Sequence, residues 1–163
     1  MKRINASLIP VLMMMIVALL NAGCDPAKTY EEEHDEKISN FLDSHPELDF
    51  ELKSSGLFYF EEITGTGDLA ETHDTAYLFY SGYLTDGYKF DTNIETNGDL
   101  IDTLVRPVNE GWFIQGFDEA ITYMRVGGKS TVLMPSKLAY YDYTPLVFEI
   151  QLVKLVKGAG KGG

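Results

Sequence analysis

The chain has 163 residues, of which 45% are apolar and 12% aromatic, so it can bury one hydrophobic core but hardly two. Its formal net charge of −12 argues against binding to nucleic acid, and against attachment to anionic lipid through charge. Its single cysteine allows no disulfide within the chain. The three histidines, His34, His45 and His73, lack ligand spacing, so the sequence predicts neither a metal site nor a cofactor.

The first 23 residues have the composition of a secretory signal peptide. Lys2 and Arg3 precede Leu8–Leu20, a 13-residue apolar run that is too short to span about 30 Å of hydrocarbon as a helix. Ala22-Gly23-Cys24 resembles the lipobox of bacterial lipoproteins, in which the cysteine is acylated and becomes the new N-terminus. The alternative is an incidental thiol within an ordinary signal peptide.

The lipobox resemblance implies cleavage before Cys24 and a lipid anchor outside the cytoplasm, on the periplasmic or the cell-surface face of a bacterial membrane. Cleavage would remove two cations, Lys2 and Arg3, and no anion, so the net charge would change from −12 to −14. Because such a chain is repelled by anionic lipid, the acyl chains on Cys24 would have to supply the attachment.

An acidic segment, residues 24–36, follows this cysteine. It contains Glu31-Glu32-Glu33 and Asp35-Glu36, which predict a solvated and extended tether. Two interpretations remain open for it: a signal for export to the cell surface, or a spacer. Residues 37–55 then predict a short helix that stops at Ser44-His45-Pro46 and either leans on the domain or stays partly frayed, followed by an edge strand at Phe50–Leu52.

A hairpin forms the centre of the remaining chain, residues 56–156. A core strand at Leu57–Ile63 precedes it, and Thr75–Leu84 is predicted as its first strand because aromatic and aliphatic residues dominate there. Asp86-Gly87 predicts a type I′ turn, which leads into a second arm at Tyr88–Asp91.

The predicted elements after the hairpin alternate between polar and apolar segments. They are a loop at 92–104, an edge strand at 105–108, a helix at 117–124 that ends at a Gly-Gly pair, strands at 129–134 and 146–156, and a flexible glycine-rich tail at 157–163. Strands, one short helix and further strands in this order predict an α+β domain with a helix lying across a bent antiparallel sheet.

Five segments in this stretch carry motifs that resemble those of the FKBP-type peptidyl-prolyl isomerases, in the same order. They are Tyr80-Ser81-Gly82-Tyr83-Leu84 with Phe90-Asp91, Phe113-Ile114-Gln115-Gly116-Phe117-Asp118-Glu119, Val126-Gly127-Gly128-Lys129, Pro135 with Leu138-Ala139-Tyr140, and Leu146-Val147-Phe148-Glu149-Ile150-Gln151-Leu152. The resemblance implies the family's strongly bent half-barrel sheet wrapped on one short helix. It also implies isomerisation of X–Pro bonds in exported polypeptides, without a cofactor.

Eight positions match the pocket of that family, and the resemblance implies that they form the catalytic cleft: Tyr80, Phe90, Asp91, Phe113, Ile114, Phe117, Tyr140 and Phe148. Phe117 stands where the family usually has a tryptophan at the floor of the pocket, and Trp112 is too early in the chain for that role. Asp91 is expected to organise the pocket through the Tyr80 hydroxyl, and Tyr140 to donate a hydrogen bond to a substrate carbonyl.

The chain departs from the family in two places. Only seven residues, Tyr141–Val147, separate Tyr140 from Phe148, where the family has a longer loop, and the arginine that usually pairs with the pocket aspartate has no counterpart, since Arg106 comes too late in the chain. Three interpretations therefore stay open: a folding isomerase, a peptide-binding chaperone, or a structural subunit of a surface machine such as one for gliding motility.

Overall fold

The computed structural model describes residues 26–94 and 102–158, and the chain divides into two units, residues 1–32 and 33–163. The described part of the first unit is the start of a helix, α1. The elements are α1 (Pro26–Ser44), β1 (Glu51–Leu52), β2 (Phe58–Ile63), β3 (Thr75–Leu84), β4 (Lys89–Thr92), β5 (Leu104–Pro107), α2 (Gln115–Thr122), β6 (Lys129–Met134), a short 3₁₀ turn (Ser136–Leu138) and β7 (Leu146–Val156).

The seven strands form one curved, open antiparallel sheet, which confirms the predicted α+β fold with a bent sheet. The strand order is β1-β2-β6-β7-β3-β4, and β5 pairs with the first half of β3 while β4 pairs with its second half. All pairings are antiparallel; β1–β2, β3–β4 and β6–β7 are consecutive in the chain, whereas β2–β6 and β3–β7 bring together strands that are distant in the sequence. Strands β3, β6 and β7 have the bounds that the sequence predicts.

Both faces of the sheet are covered, because alternate residues of each strand point to opposite sides. One face packs Leu78, Val132 and Ile150 against Phe117 and Ile121 of α2, and all five side chains are buried. On the other face, Ile38 and Phe41 of α1 pack with Leu133 and Val147. The expectation that the N-terminal helix leans on the domain is therefore confirmed, although α1 makes a second helix that the half-barrel pattern does not include.

The prediction of an extended acidic tether is wrong for residues 26–36, which belong to helix α1. Glutamate and lysine are good helix formers, and Glu33 and Lys37 have the i, i+4 spacing and order that stabilise a helix. Like charges on neighbouring positions therefore do not prevent the helix once its apolar face, Ile38 and Phe41, is buried on the sheet. Residues 24 and 25 lie outside the described part of the chain.

The turn between β3 and β4 differs from the predicted type I′ turn. Of its residues only Gly87 has a positive φ, 88°, whereas a type I′ turn needs two such residues. The amide of Gly87 donates to the Leu84 carbonyl (3.0 Å), and the amide of Leu84 donates to the Tyr88 carbonyl (2.9 Å), which closes a three-residue loop. The β3–β4 register then shifts between Gly82 and Tyr83, so that Phe90 has no Cα partner.

The predicted flexible tail is wrong for its first two residues. The buried carboxylate of Asp74 accepts hydrogen bonds from the Lys157 ammonium (3.0 Å) and from the Gly158 amide (3.1 Å). Residues 159–163 lie outside the described part. Helix α2 also begins two residues earlier than predicted and ends at Thr122.

Within the described ranges, no helix is long and apolar enough to cross a membrane. The apolar run at Leu8–Leu20 lies outside those ranges.

Candidate active site

An open cleft of about 450 Å³ lies on the face of the sheet that α2 covers, within the size range of ligand-binding pockets. It brings together seven of the eight residues that the family resemblance assigns to the pocket: Tyr80, Asp91, Phe113, Ile114, Phe117, Tyr140 and Phe148. Three further residues line it: Leu104, which sequence reasoning did not name, and Arg106 and Trp112, which it considered for other family roles and did not place in the pocket.

Phe117 forms the aromatic floor of this cleft. Its side chain is 3% exposed, and its ring centroid lies 4.7 Å from Phe113, 5.2 Å from Phe148 and 5.8 Å from Tyr80. The contacts with Tyr80 and Phe148 are edge-to-face, which is a favoured arrangement for aromatic rings. Helix α2 therefore positions Phe117 between side chains from β3, β7 and the segment before the helix.

Tyr80 and Asp91 supply the polar pair of the cleft. The Tyr80 hydroxyl donates a 2.8 Å hydrogen bond to the Asp91 carboxylate, which is the bond expected from the sequence. Burial, followed by this hydrogen bond and the negative charge of Asp91, raises the pKa of Tyr80 to about 12. The phenol therefore stays protonated at neutral pH and holds the carboxylate against the aromatic wall.

The backbone of Tyr80 is fixed by two side chains that sequence reasoning missed. The Asn93 side-chain oxygen accepts from the Tyr80 amide (2.7 Å), while its NH₂ group donates to the Leu78 carbonyl (3.0 Å) and the Asp102 carbonyl (2.8 Å). The Thr92 hydroxyl donates to the Tyr80 carbonyl (2.8 Å). Asn93 thus provides hydrogen-bond partners for the backbone of β3 at the point where the pairing of β3 passes from β5 to β4. A polar residue directly after β4 was the only sequence signal for this role.

Phe90 is the one predicted pocket residue that does not line the cleft. Its ring packs edge-on against Phe148, with centroids 5.6 Å apart, and its side chain is 37% exposed. The register shift in β4 places the ring of Phe90 close to Gly82. A Cβ atom added at Gly82 would lie only 2.8 Å from both the Phe90 and the Phe148 rings. Phe90 therefore supports Phe148 from behind, and glycine at position 82 makes room for both rings.

Arg106 and Trp112 form an exposed side of the cleft. Leu104 and Arg106 are two residues apart on β5 and therefore share one face of that strand, which is the signal that could have identified them. The Arg106 guanidinium lies over the indole of Trp112, 5.8 Å from the ring centroid, in a cation–π arrangement. Trp112 is 62% exposed.

The turn that carries Trp112 and Phe113 is held by Asp118 from the first turns of α2. Its buried carboxylate accepts a 2.9 Å hydrogen bond from the amide of Gly111, a residue with a positive φ of 73°. Burial raises the pKa of Asp118, and the hydrogen bonds from backbone amides oppose this shift. Asp118 thus positions one wall of the cleft without lining it.

Tyr140 lines the cleft at the start of the short loop that the sequence identified. Its side chain is 61% exposed, and both Tyr141 and Tyr143 in this loop have positive φ angles, 60° and 62°. Positive φ is uncommon for residues other than glycine, and here it lets seven residues return the chain to β7. Tyr140 and Phe148 consequently both reach the cleft although the loop is short.

The described residues contain no group of three or more histidine, cysteine, aspartate or glutamate side chains that could hold a metal ion. The cleft itself offers one carboxylate, one guanidinium, two phenols and an apolar surface, which is suited to binding and orienting an extended peptide.

Comparison with known proteins connects this arrangement to a family. A family model described as FKBP-type peptidyl-prolyl cis-trans isomerase matches residues 67–153. The FKBP-type peptidyl-prolyl cis-trans isomerase FkpA of Aeromonas hydrophila is 34% identical over 116 residues, which make up 66% of this chain and 41% of that protein. The macrophage infectivity potentiator of Trypanosoma cruzi is 31% identical over 148 residues, or 79% of this chain and 72% of that protein.

A solved structure of a peptidyl-prolyl cis-trans isomerase from Pseudomonas syringae pv. tomato has a TM-score of 0.65 and 25% identity, covering 83% of this chain and 100% of that one. The chain spans 41% and 44% of the length of the FkpA proteins from Aeromonas hydrophila and from Buchnera aphidicola of Acyrthosiphon pisum. Since the family model covers just over half of the chain, including both strands that supply Tyr80 and Phe148, the chain belongs to the FKBP-type peptidyl-prolyl cis-trans isomerase family.

Proposed function

We propose that this protein is a peptidyl-prolyl cis-trans isomerase that acts on X–Pro segments of exported polypeptides. The observation that carries the proposal is the convergence of Tyr80, Asp91, Phe113, Phe117 and Phe148 on one cleft that an extended peptide can enter. Aromatic side chains from separate segments meet there with a single hydrogen-bonded polar pair, as is typical of a ligand pocket.

The chemistry needs no nucleophile. Rotation about a peptide bond must break amide resonance, at a cost of about 18–20 kcal/mol, while no covalent bond is made or cleaved. A twisted imide is less dipolar than a planar one, so the apolar floor formed by Phe117 and Phe148 favours it relative to water. In this proposal Tyr140 donates a hydrogen bond to a substrate carbonyl, and Tyr80 keeps Asp91 in place; Ile114 and Phe113 enclose the proline.

The test is a protease-coupled isomerisation assay on short X–Pro peptides with the full chain. We expect turnover that is lost when the floor is removed in Phe117→Ala, measured at a temperature where this variant remains folded. A matched control is Tyr88→Ala, which removes an exposed aromatic side chain that does not line the cleft. Absence of turnover in the unmodified chain would contradict the proposal.

A second candidate function, peptide binding as a chaperone, is favoured by one observation. Trp112, Tyr140 and Tyr141 are exposed large side chains at or beside the rim of the cleft, and exposed apolar surface usually marks an interaction site. Peptide binding without turnover would favour the chaperone. The absence of both peptide binding and turnover would favour a structural subunit of a surface or motility machine.

We also propose that residues 1–23 are a signal peptide and that acyl chains on Cys24 anchor the protein to a bacterial membrane, outside the cytoplasm. Support comes from the basic start, the 13-residue apolar run Leu8–Leu20 and the position of the only cysteine. The variant Cys24→Ser should move from the membrane fraction to the soluble exported fraction, while Asn21→Ala, which keeps the cysteine, should stay with the membranes. A Cys24→Ser protein that still sediments with membranes after a high-salt wash would contradict the anchor.

A further inference from the structure

The cleft contains two charged side chains, Asp91 and Arg106, which have different hydrogen-bond partners. The Asp91 carboxylate is engaged by the Tyr80 hydroxyl at 2.8 Å. The Arg106 guanidinium stands on the Trp112 side, and none of the salt bridges formed among the described residues involves it. Arg106 is exposed, so its charge is available to a molecule entering the cleft.

The geometry of Arg106 restricts how it can be used. One terminal nitrogen, Nη1, donates a 2.7 Å hydrogen bond to the carbonyl of Val105, and the central carbon of the guanidinium, Cζ, lies over the Trp112 ring. A guanidinium has five N–H donors in a fixed fork that matches a carboxylate, and only one of its donors is used in this way. A hydrogen bond to its own strand and an aromatic support hold the group at the rim, so less side-chain freedom is lost when a ligand binds.

We propose that Arg106 and Trp112 form an anion-binding subsite, and that the cleft prefers X–Pro segments with an aspartate or glutamate immediately before the proline. This inference rests on the proposed function, because it names the substrate class of the same cleft. The apolar floor accepts the prolyl ring and has no charge, whereas Arg106 supplies the cation that the neighbouring side chain of the peptide can reach. Trp112 contributes the apolar surface along which the stem of that side chain packs.

The negative charge of the whole protein makes this subsite informative. A net charge of −12 repels an acidic peptide at long range, so any preference for one must come from a local cation. Asp91 carries a carboxylate in the same cleft and would favour a basic peptide if Arg106 had no role. Comparing acidic, neutral and basic residues before proline therefore separates the two groups.

Trp112 also provides the measurement, because it is the only tryptophan in the chain. Its fluorescence reports binding at the cleft independently of turnover. We would titrate the full chain with end-blocked peptides Ala-Glu-Pro-Phe, Ala-Gln-Pro-Phe and Ala-Lys-Pro-Phe at low ionic strength. We expect the glutamate peptide to bind about three- to fivefold more tightly than the glutamine peptide, which is the range of a partly exposed ion pair. This preference should disappear near 1 M salt, where the Debye length is about 3 Å.

Two substitutions at Arg106 and one control complete the test. Arg106→Gln should remove the preference for glutamate over glutamine, while Arg106→Lys, which keeps the charge without the fork, should retain part of it. Arg125→Gln removes the same charge from an exposed arginine that does not line the cleft, and should leave the preference unchanged. Because the two arginine-to-glutamine variants have equal net charge, their difference isolates the subsite.

The outcomes distinguish this inference from the proposed function. Turnover with equal binding of the glutamate and glutamine peptides would overturn the subsite and leave the isomerase intact, as would tighter binding of the lysine peptide. A glutamate preference that depends on Arg106 in a protein without turnover would support the subsite and contradict the isomerase. A preference that persists in Arg106→Gln would overturn the role of this residue.

Discussion

Removing the ring of Phe117 should affect both the stability and the cleft of this protein, and the structure allows the two effects to be estimated separately. The side chain is 3% exposed and contacts three other aromatic rings, with centroids 4.7–5.8 Å away. Substitution of a buried phenylalanine by alanine costs about 3–5 kcal/mol, because apolar contacts are lost and a cavity remains. Phe117 belongs to the core that joins α2 to the sheet, so Phe117→Ala should fall in this range.

Phe90→Ala is the matched control for this change. It removes the same ring from the same aromatic group, but Phe90 is 37% exposed and its ring contacts one other ring, Phe148, at 5.6 Å. Loss of a half-exposed ring with one aromatic contact should cost about 1 kcal/mol, since solvent already reaches it. The two variants therefore delete equal volumes from positions that differ in burial.

Urea denaturation followed by far-ultraviolet circular dichroism measures both variants, and an unchanged m-value shows that the midpoint shift reflects stability. The difference between Phe117→Ala and Phe90→Ala should be about 2–4 kcal/mol. A loss below about 1 kcal/mol in Phe117→Ala, or one no larger than in Phe90→Ala, would refute the assignment of Phe117 as a core floor. Turnover must then be compared under conditions where each variant is folded.

Three further predictions use other parts of the structure. Burial raises the pKa of Asp74, but the hydrogen bonds from Gly158 and Lys157 outweigh it, so the folded-state pKa lies below the ordinary value of 3.8. The contribution of Asp74 to stability is therefore present above 3.8 and is lost as the pH falls through this lower pKa. Asp74→Asn should lower the urea midpoint at neutral pH and flatten its decline in acid, and an unchanged pH profile would contradict this. Gly82→Ala should destabilise by about 1–3 kcal/mol in thermal melts, because the new Cβ would lie 2.8 Å from the ring of Phe148; an unchanged melting temperature would show that the rings can move apart. Tyr140→Phe should leave the melting temperature unchanged and reduce turnover about fivefold, the effect of a hydrogen bond of about 1 kcal/mol; full activity would remove its hydroxyl from the mechanism.

The sequence by itself determined the main strands and most of the cleft. Thr75–Leu84, Lys129–Met134 and Leu146–Val156 occur with the predicted bounds, because apolar alternation and turn residues are local signals that specify strands directly. Seven of the eight pocket positions were also found in one cleft, because the family motifs lie on the elements that surround it.

Local signals were insufficient where distant parts of the chain decide the outcome. The acidic segment at 26–36 is helical because α1 buries Ile38 and Phe41 on the far face of the sheet, which a charge pattern alone does not reveal. Lys157 and Gly158 are ordered by Asp74, more than eighty residues earlier. A composition of glycine and lysine predicts flexibility only when no buried acceptor is present.

Tertiary structure also decided which side chains join the cleft. A register shift of one residue removes Phe90 from the lining, and the turn held by Asp118 brings Trp112 to Arg106 at its rim. Neither follows from residue spacing, since a bulge and a buried carboxylate act on the direction of the chain rather than on its pattern of polar and apolar residues. The sequence therefore determined the apolar cleft, whereas its charged side exists only because the fold places β5 next to the turn before α2.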